Sequence, residues 1–218
     1  MLALTLEEQR DQSVDRLREA ALRLWGAARP ISGTPAQHYL ESRALTAGSA
    51  ELRYHWRAPH GPKPFTRFRP ALVAAVRDET GVVAVHRTFL DLRCGRVAAK
   101  PRAKLALGPL GRGAVRLGGS APRIGLAEGL ETALSASALF GLPCWATLGT
   151  ERFRHVALPA DAAELLLFLD NDAGGRRAEA LAREAFANIP VVEAHYPLGA
   201  GVDWNDVLRA RAREIAPL

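Results

Sequence analysis

The stretch that decides the fold is Leu165-Leu166-Leu167-Phe168-Leu169-Asp170-Asn171-Asp172. Its five apolar residues fit a strand that is buried on both faces, which is typical of a parallel sheet. Further apolar runs lie at 124–127, 144–148 and 191–196, and they alternate with helical patterns at 131–140, 175–187 and 205–214. The alternation predicts an α/β unit of about 95 residues with a parallel sheet.

Acidic residues follow two of these predicted strands. Glu128 comes directly after the run at 124–127, and Asp170 and Asp172 come after the run at 165–169. Because the active sites of such sheets lie at the carboxyl ends of the strands, we expect the three carboxylates to lie together. Carboxylates at i and i+2 of an extended segment point the same way and repel each other unless a cation or a proton lies between them. These hard oxygen ligands suit Mg²⁺ or Mn²⁺ and not Zn²⁺.

Two of these acidic motifs also have simpler interpretations. The segment 170–174 fits a turn, since Asp and Asn favour turns and Gly174 accepts a positive φ angle. Asp203, in Asp203-Trp204-Asn205-Asp206, fits either a metal ligand or the N-cap of the helix predicted over 205–214. The residues alone leave these alternatives open.

Positive charge is concentrated in the middle of the chain. Segment 51–120 has 14 Lys and Arg against four Asp and Glu, whereas segment 121–218 has nine against 13. A basic segment beside a carboxylate-rich one indicates contact with a polyanion, and the alternative is a solvated surface. The basic residues that we expect to contact phosphate are Arg67, Arg69, Arg87, Lys100 and Lys104.

Aromatic residues are interleaved with these cations. Trp56, Phe65 and Phe68 either stack on unpaired bases or pack a small β-core. Upstream, residues 5–28 predict an amphipathic helix with Thr5 and Glu8 as a capping box, and residues 35–43 predict a second helix. Alternating runs at 71–76 and 82–90 predict a β-hairpin, and 93–116 predicts a loop with short strands.

The composition excludes several classes of protein. Cys94 and Cys144 lie far apart without a CxxC pair, which excludes a zinc ribbon and a disulfide framework. No apolar run of about 18 residues is present, so we expect no membrane contact. Segment 1–12 lacks the basic start and the cleavage site of a signal peptide. We therefore expect a cytoplasmic protein.

Taken together, these motifs resemble a Toprim domain, the catalytic fold shared by bacterial-type primases, topoisomerases and some nucleases. The resemblance lies in three segments in the family's order: 128–132, 167–174 and 203–206. Segments 38–45, 70–78 and 86–90, with Lys100 and Lys104, are similar to the primase-like Toprim proteins of phages, plasmids and integrated mobile elements. The resemblance covers most of residues 36–210.

The resemblance implies an α/β fold with a Toprim domain over 121–218. Residues 1–120 would form an N-terminal helix and a smaller basic α+β subdomain. Glu128 would be a general acid/base or a metal ligand, and Asp170 and Asp172 would bind metal. Asp203 and Asp206 would line the rim of the metal site. Glu131 lies one position away from the second acid of the primase pattern, and its alternative role is to begin a helix, where negative charge is favoured.

The implied activity is primer synthesis. The chain would polymerise nucleoside triphosphates on single-stranded DNA with Mg²⁺ or Mn²⁺, and a replicative helicase is a candidate partner. Two alternatives use the same residues: a metal-dependent Toprim nuclease, and a non-catalytic nucleic-acid-binding module of a mobile element. A topoisomerase needs a nucleophilic Tyr on a separate domain, for which 218 residues leave no room. We also expect neither the zinc-binding module nor the helicase-interacting domain of replicative primases in this sequence.

Overall fold

An antiparallel sheet organises the first half of the chain in the computed structural model, which describes residues 6–46, 48–62, 64–92, 96–97, 103–199 and 201–215. Strands β1 to β5 lie side by side in chain order, and β6 also pairs with β4, at other residues of β4 than β5 does. The elements are α1 (Leu6–Ala27), β1 (Arg29–Pro30), α2 (Pro35–Glu41), β2 (Leu52–His60), β3 (Arg67–Asp78), β4 (Gly81–Asp91), β5 (Arg96–Val97) and β6 (Lys104–Leu107).

Both faces of this sheet are buried, because apolar residues fill both sides of β3. The odd-numbered Ala71, Val73 and Ala75 pack with residues of α1. The even-numbered Leu72 and Ala74 belong to a second cluster that also contains residues of α2 and of the second half of the chain. The turn between β3 and β4 depends on Gly81, whose φ angle of 118° is one that side chains rarely permit.

A mostly parallel sheet organises the second half. Its strand order is β11-β10-β8-β9-β7, in which β7 alone runs antiparallel to its neighbour. The elements are β7 (Val115–Leu117), β8 (Arg123–Ala127), α3 (Leu130–Phe140), β9 (Cys144–Ala146), a 3₁₀ helix (Thr150–Arg154), β10 (Glu164–Phe168), α4 (Ala173–Ala185), β11 (Val191–His195) and α5 (Trp204–Ile215).

The two halves share one hydrophobic core. Leu72 of β3 belongs to the same buried cluster as Leu130 of α3 and Trp204 of α5. A polar contact also joins the halves, because the Asn205 amide donates a hydrogen bond of 2.8 Å to the carbonyl of Arg43. The shared core places β4 and β6 opposite the start of α3, where the cleft described below opens.

The predicted fold class is confirmed: a parallel-sheet Toprim-like unit follows a smaller α+β region. The predicted hairpin is longer than expected, and the sequence patterns did not predict β2 or the 3₁₀ helix. The side chains of the Thr5–Glu8 capping box lie outside the described residues. The boundary between residues 120 and 121 stays a prediction, and β7, which precedes it, already pairs with the second sheet. Among the described helices, none is long and apolar enough to cross a membrane.

Candidate active site

Two parallel strands bring Glu128 and Asp170 to one edge of the second sheet. Phe168, the last residue of β10, lies opposite Ala127, the last residue of β8. Glu128 follows β8 directly, and Asp170 follows β10 after one further residue. Both carboxylates line a cleft of about 530 Å³ between the two halves of the chain. The structure therefore places them together, as the strand ends predict.

Asp170 lies in a strongly negative environment. Burial raises the pKa of its carboxyl group, and the charges of Glu128, Asp172 and Asp203 raise it further, whereas Lys104 lowers it. Among the described residues, no three His, Cys, Asp or Glu side chains are arranged as a ready metal site. The acidic residues thus repel one another through space without forming a closed set of ligands.

The loop after β9 and the start of the 3₁₀ helix hold Glu128 in place. The hydroxyl group of Thr150 donates a hydrogen bond of 3.0 Å to Oε2 of Glu128, and the backbone N–H of Leu148 donates one of 2.8 Å to its carbonyl oxygen. Leu148 has a φ angle of 69°, which is strained for a residue with a side chain. Leu148 also lines the cleft. Backbone strain of this kind is common where a loop must hold a functional group.

Asp172 caps the helix that follows it. Its Oδ1 accepts a hydrogen bond of 2.8 Å from the N–H of Gly175, and the side chain is exposed. A Cβ atom on Gly175 would lie 2.0 Å from the carbonyl oxygen of Asp170, so only glycine fits there. Gly174 belongs to α4 and does not have the positive φ angle that the turn interpretation allowed. The segment is a helix start that directs Asp170 into the cleft.

Asp203 and Asp206 form a reciprocal cap at the start of α5. The N–H of Asp206 donates a hydrogen bond of 2.8 Å to Asp203, and the N–H of Asp203 donates one of 3.5 Å in return. Asp203 also lines the cleft, whereas Asp206 is not among the cleft residues and is exposed. The structure shows the capping role and, for Asp203 alone, a position next to the carboxylates.

Glu131 is buried in the wall of the cleft and joins three elements. The Tyr39 hydroxyl of α2 donates a hydrogen bond of 2.6 Å to Oε1, and the Lys104 ammonium of β6 donates one of 2.7 Å to Oε2. Burial opposes ionisation of Glu131, but the charge and hydrogen bond of Lys104 and the hydrogen bond of Tyr39 outweigh it and lower the pKa to about 2. Burial and the Glu131 charge raise the pKa of Tyr39 well above its usual value.

Sequence reasoning missed this triad of Tyr39, Lys104 and Glu131. The sequence predicts a helix over 35–43, which contains Tyr39, and a phosphate contact for Lys104, but it predicts no contact between them and Glu131. A buried Tyr hydroxyl needs a polar partner, but nothing local identifies a partner 92 residues away. Asn205, which joins α5 to Arg43, was missed for the same reason.

His86 of β4 faces the same cleft. It is buried, and its Nδ1 has no hydrogen-bond partner among the described residues. Burial lowers its pKa to about 4, with Lys104 and Arg87 acting in the same direction and Glu131 against them. The imidazole is therefore neutral at pH 7 and presents an unsatisfied polar nitrogen beside the triad.

Arg87 lies on the opposite face of β4 and does not line the cleft. Its guanidinium donates hydrogen bonds to the carbonyl oxygens of Pro59, of Ala106 at 2.8 Å and of Leu105 at 3.4 Å. Only 6% of the residue is exposed, and burial lowers its pKa to about 10. These contacts link three strands, so we interpret Arg87 as a residue that stabilises the sheet. Its expected contact with phosphate stays a prediction, and the burial of the guanidinium group does not favour it.

The remaining predicted basic residues differ in position. Lys104 lines the cleft, and its side chain is partly exposed. Arg67 is exposed and Arg69 is half-buried, and both lie at the start of β3, away from the cleft residues. Lys100 lies outside the described residues.

Comparison with known families agrees with this geometry. Residues 123–214 match a family model described as a Toprim domain. This chain carries a Toprim domain. Residues 15–117 match a family described as a domain of unknown function, DUF7146. The two matches lie on the two halves that the sheets define. No curated protein matches the sequence.

Solved primase structures have the same fold. A DNA primase domain from Pseudomonas aeruginosa is 19% identical with a TM-score of 0.60, over 92% of this chain and 77% of that one. The Aquifex aeolicus primase (zinc-binding and RNA polymerase domains) is 17% identical with a TM-score of 0.59, over 98% and 61%. The primase fragment of the bacteriophage T7 primase-helicase protein is 18% identical with a TM-score of 0.53, over 81% and 71%. The chain thus combines a primase-like fold with a Toprim domain match over residues 123–214.

Proposed function

We propose that this Toprim protein is a primase-like nucleotidyltransferase, which synthesises primers on single-stranded DNA from nucleoside triphosphates. The observation that carries the proposal is the cleft itself, in which Glu128 and Asp170 of the Toprim sheet lie opposite Lys104 of the basic half. A triphosphate needs both kinds of group, because carboxylates hold the metal ions that bind its phosphates and a cation offsets the remaining charge.

The residues of the cleft fit a divalent cation. Oxygen ligands are available from Glu128, Asp170 and Asp203, which line the cleft, and from Asp172, whose charge acts on Asp170, whereas Asp206 lies outside the cleft lining. Burial and then the repulsion by neighbouring carboxylates raise the pKa of Asp170, and a bound cation would relieve that repulsion. Mg²⁺ and Mn²⁺ both accept such ligands, and a bound ion would neutralise the triphosphate and lower the barrier to attack by a 3′-hydroxyl group.

The triad of Tyr39, Lys104 and Glu131 positions a cation on the other side of the cleft. Glu131 and Lys104 form an ion pair at 2.7 Å, which fixes the ammonium group in one position. The Lys104 side chain remains partly exposed, so further N–H groups are available to a phosphate oxygen. Glu131 is thus a positioning residue that acts through Lys104. Arg43, which also lines the cleft, adds a second positive charge to this wall.

Contacts with the template are proposed for the basic half of the chain. Arg67 and Arg69 are available for the phosphates of a strand that leaves the cleft, and Lys100 remains a candidate for the same role. The T7 match belongs to a primase-helicase protein. A helicase partner for this chain is a proposal that co-purification with candidate helicases would test.

The test is a primer-synthesis assay on single-stranded templates with labelled nucleoside triphosphates and Mg²⁺ or Mn²⁺. We expect template-dependent products from the wild type and a loss of about 100-fold or more in Asp170→Asn and Glu128→Gln. Asp161→Asn, an exposed acid outside the cleft, is the matched control and should keep full activity. Templated synthesis that survives Asp170→Asn would contradict the assignment.

A parallel reaction separates the alternatives. Labelled single-stranded DNA is incubated with Mn²⁺ and without nucleoside triphosphates. Shortening of the DNA that requires Asp170 would identify a nuclease. DNA binding without synthesis or cleavage, unchanged by the Glu128 and Asp170 substitutions, would identify a non-catalytic module.

A further inference from the structure

Three large aromatic side chains are exposed on the β2–β3 hairpin. The exposed fraction is 65% for Trp56, 81% for Phe65 and 55% for Phe68. Single exposed apolar residues are normal, but three aromatic side chains on one hairpin form a patch that suggests a binding role. We call Trp56, Arg57, Phe65 and Phe68 the aromatic hairpin surface.

The backbone explains why these rings are presented to solvent. The pairing of β2 with β3 shifts register between His55 and Ala58, so Trp56 and Arg57 lie in a bulge. A bulge redirects side chains away from the regular alternation of a strand. The Arg57 guanidinium lies 5.1 Å from the centre of the Trp56 ring and 5.2 Å from that of Phe68. One cation therefore holds two exposed rings in a single cluster.

The charge of the hairpin selects the class of partner. Segment 53–69, which contains the three rings, has five Lys and Arg and no Asp or Glu. This charge is complementary to a polyanion, and exposed rings offer flat surfaces on which unpaired bases stack. A basic surface with aromatic rings is the usual combination for single-stranded nucleic acid.

The hairpin continues the cleft face of the sheet. Ala74 pairs with His86 across the strands, so both residues lie on one face, and Phe68 lies on that same face because it is an even number of residues from Ala74. Six residues of a strand separate Phe68 from the level of His86, which corresponds to about 20 Å. Leu72, which lies between them on this face, is buried, so a single strand of nucleic acid would span this distance over the surface that covers Leu72.

We propose that the aromatic hairpin surface binds single-stranded DNA by stacking bases on Trp56 and Phe68. The occupant's identity as template rests on the proposed function, but the binding itself requires no catalysis. Arg57 supports the two rings and supplies the positive charge that lies beside them. The surface therefore holds the DNA outside the cleft while nucleotides bind within it.

Tryptophan fluorescence tests the proposal directly. Of the four tryptophans, Trp56 is exposed, and Trp25, Trp145 and Trp204 are buried. Addition of a 20-residue oligo-dT should quench the emission of the wild type, because a base stacks on Trp56. In Trp56→Phe the quenching should disappear, while binding followed by anisotropy of a labelled oligonucleotide should persist.

Variants separate stacking from charge. The double variant Trp56→Ala with Phe68→Ala should bind oligo-dT roughly 10- to 100-fold more weakly, and an abasic oligonucleotide of the same length with unchanged affinity. Leu198→Ala, a change at an exposed apolar residue elsewhere, is the control and should alter neither affinity. Circular dichroism verifies that each variant is folded. Equal affinities of wild type and double variant for oligo-dT would overturn the proposal, as would equal quenching by a polyglutamate peptide.

The outcome can be distinguished from that of the proposed function. Glu128→Gln and Asp170→Asn should keep the quenching, because they lie outside the hairpin. Quenching without primer synthesis would support the aromatic hairpin surface while the proposed function fails. If the wild type synthesises primers but the double variant binds oligo-dT as tightly as the wild type, the proposed function would stand and the aromatic hairpin surface would fail.

Discussion

Two acidic residues, Asp170 and Glu131, line the same cleft and differ in the groups that surround their carboxylates. Asp170 is half-buried among other carboxylates, and its pKa is raised. Glu131 is more deeply buried, yet its pKa is lowered to about 2. Burial favours the neutral form in both cases, so the difference comes from the neighbours. Glu131 has Lys104 and Tyr39 as partners, whereas Asp170 is surrounded by Glu128, Asp172 and Asp203.

The contrast separates a buried charge that the protein satisfies with its own groups from one that it leaves unsatisfied. The Glu131 site is complete within the protein, since both carboxylate oxygens accept hydrogen bonds. The Asp170 site carries an excess of negative charge that the protein does not neutralise. Perturbed carboxylates of the second kind in a cleft are typical of functional sites. Four experiments sharpen or break this contrast.

Removal of the cation should have the largest effect on stability. Lys104→Met leaves the Glu131 carboxylate buried beside a hydrocarbon, and we expect a loss of about 2–4 kcal/mol in the free energy of unfolding. Glu131→Gln in the same background should recover part of this loss. The measurement is urea unfolding followed by circular dichroism. Arg123→Met, which breaks an exposed ion pair with Glu164, is the matched control and should cost less than about 1 kcal/mol. A loss in Lys104→Met no larger than that of the control would contradict the contrast.

Removal of the hydroxyl group should have a smaller effect. Tyr39→Phe deletes one hydrogen bond to a charged acceptor, and we expect a loss of about 1–2 kcal/mol. Tyr54→Phe is the control, because the Tyr54 hydroxyl makes no hydrogen bond among the described residues. Equal losses in the two variants, measured by the same unfolding experiment, would show that the Tyr39 contact contributes nothing specific.

Acid should weaken the Glu131 site. The folded-state pKa of about 2 lies below the usual value of 4.5, so the site stabilises the protein above about pH 4.5 and loses that contribution as the pH falls towards 2. Wild type should therefore lose more stability over this range than Glu131→Gln. Thermal unfolding at pH 7, 5, 4 and 3 gives the comparison. If the Tm values of the two proteins fall equally with pH, the acid sensitivity does not come from Glu131.

Acidification should change the stability contribution of Asp170 in the opposite direction, and this change should be the smallest of the four. Its raised pKa means that the charged form destabilises the fold at neutral pH, and protonation on acidification relieves this. Asp170→Asn should therefore raise the Tm at pH 7 by up to about 3 °C, with a smaller gain in acid. Excess Mg²⁺ should raise the Tm of the wild type more than that of the variant, because a ligand that binds the folded state stabilises it. A lower Tm for Asp170→Asn at pH 7 would refute the excess of negative charge.

The sequence contained enough to predict the Asp170 site and too little to predict the Glu131 site. Apolar runs end where Glu128 and Asp170 begin, and the ends of neighbouring parallel strands meet at one edge of a sheet, so local patterns determine the first site. The partners of Glu131 come from α2 and β6, and their proximity depends on the packing of the two halves. A side chain's hydrogen-bond partner across 92 residues is a property of the tertiary structure alone.

Arg87 and Trp56 also show that the sequence alone does not determine which side chains are buried. Arg87 is buried although a phosphate contact is predicted, and Trp56 is exposed although a β-core is an alternative. Alternation along β4 shows that His86 and Arg87 face different sides, but it does not show which side borders the cleft. Trp56 was as consistent with a β-core as with a binding surface until the register shift between His55 and Ala58 was known. Both outcomes were decided by strand pairing that the sequence patterns did not specify.

The contact between Asn205 and Arg43 has a consequence for how the cleft is made. It joins residues that lie 162 positions apart in the chain. During synthesis the strands of the first sheet emerge from the ribosome before α3 and α5, so the face that carries Leu72 and Ala74 lacks the cover of these helices until they follow. Glu131 meets Lys104 and Tyr39 only when that cover closes. We therefore expect the cleft to form late in folding, as one cooperative step that assembles the two walls together.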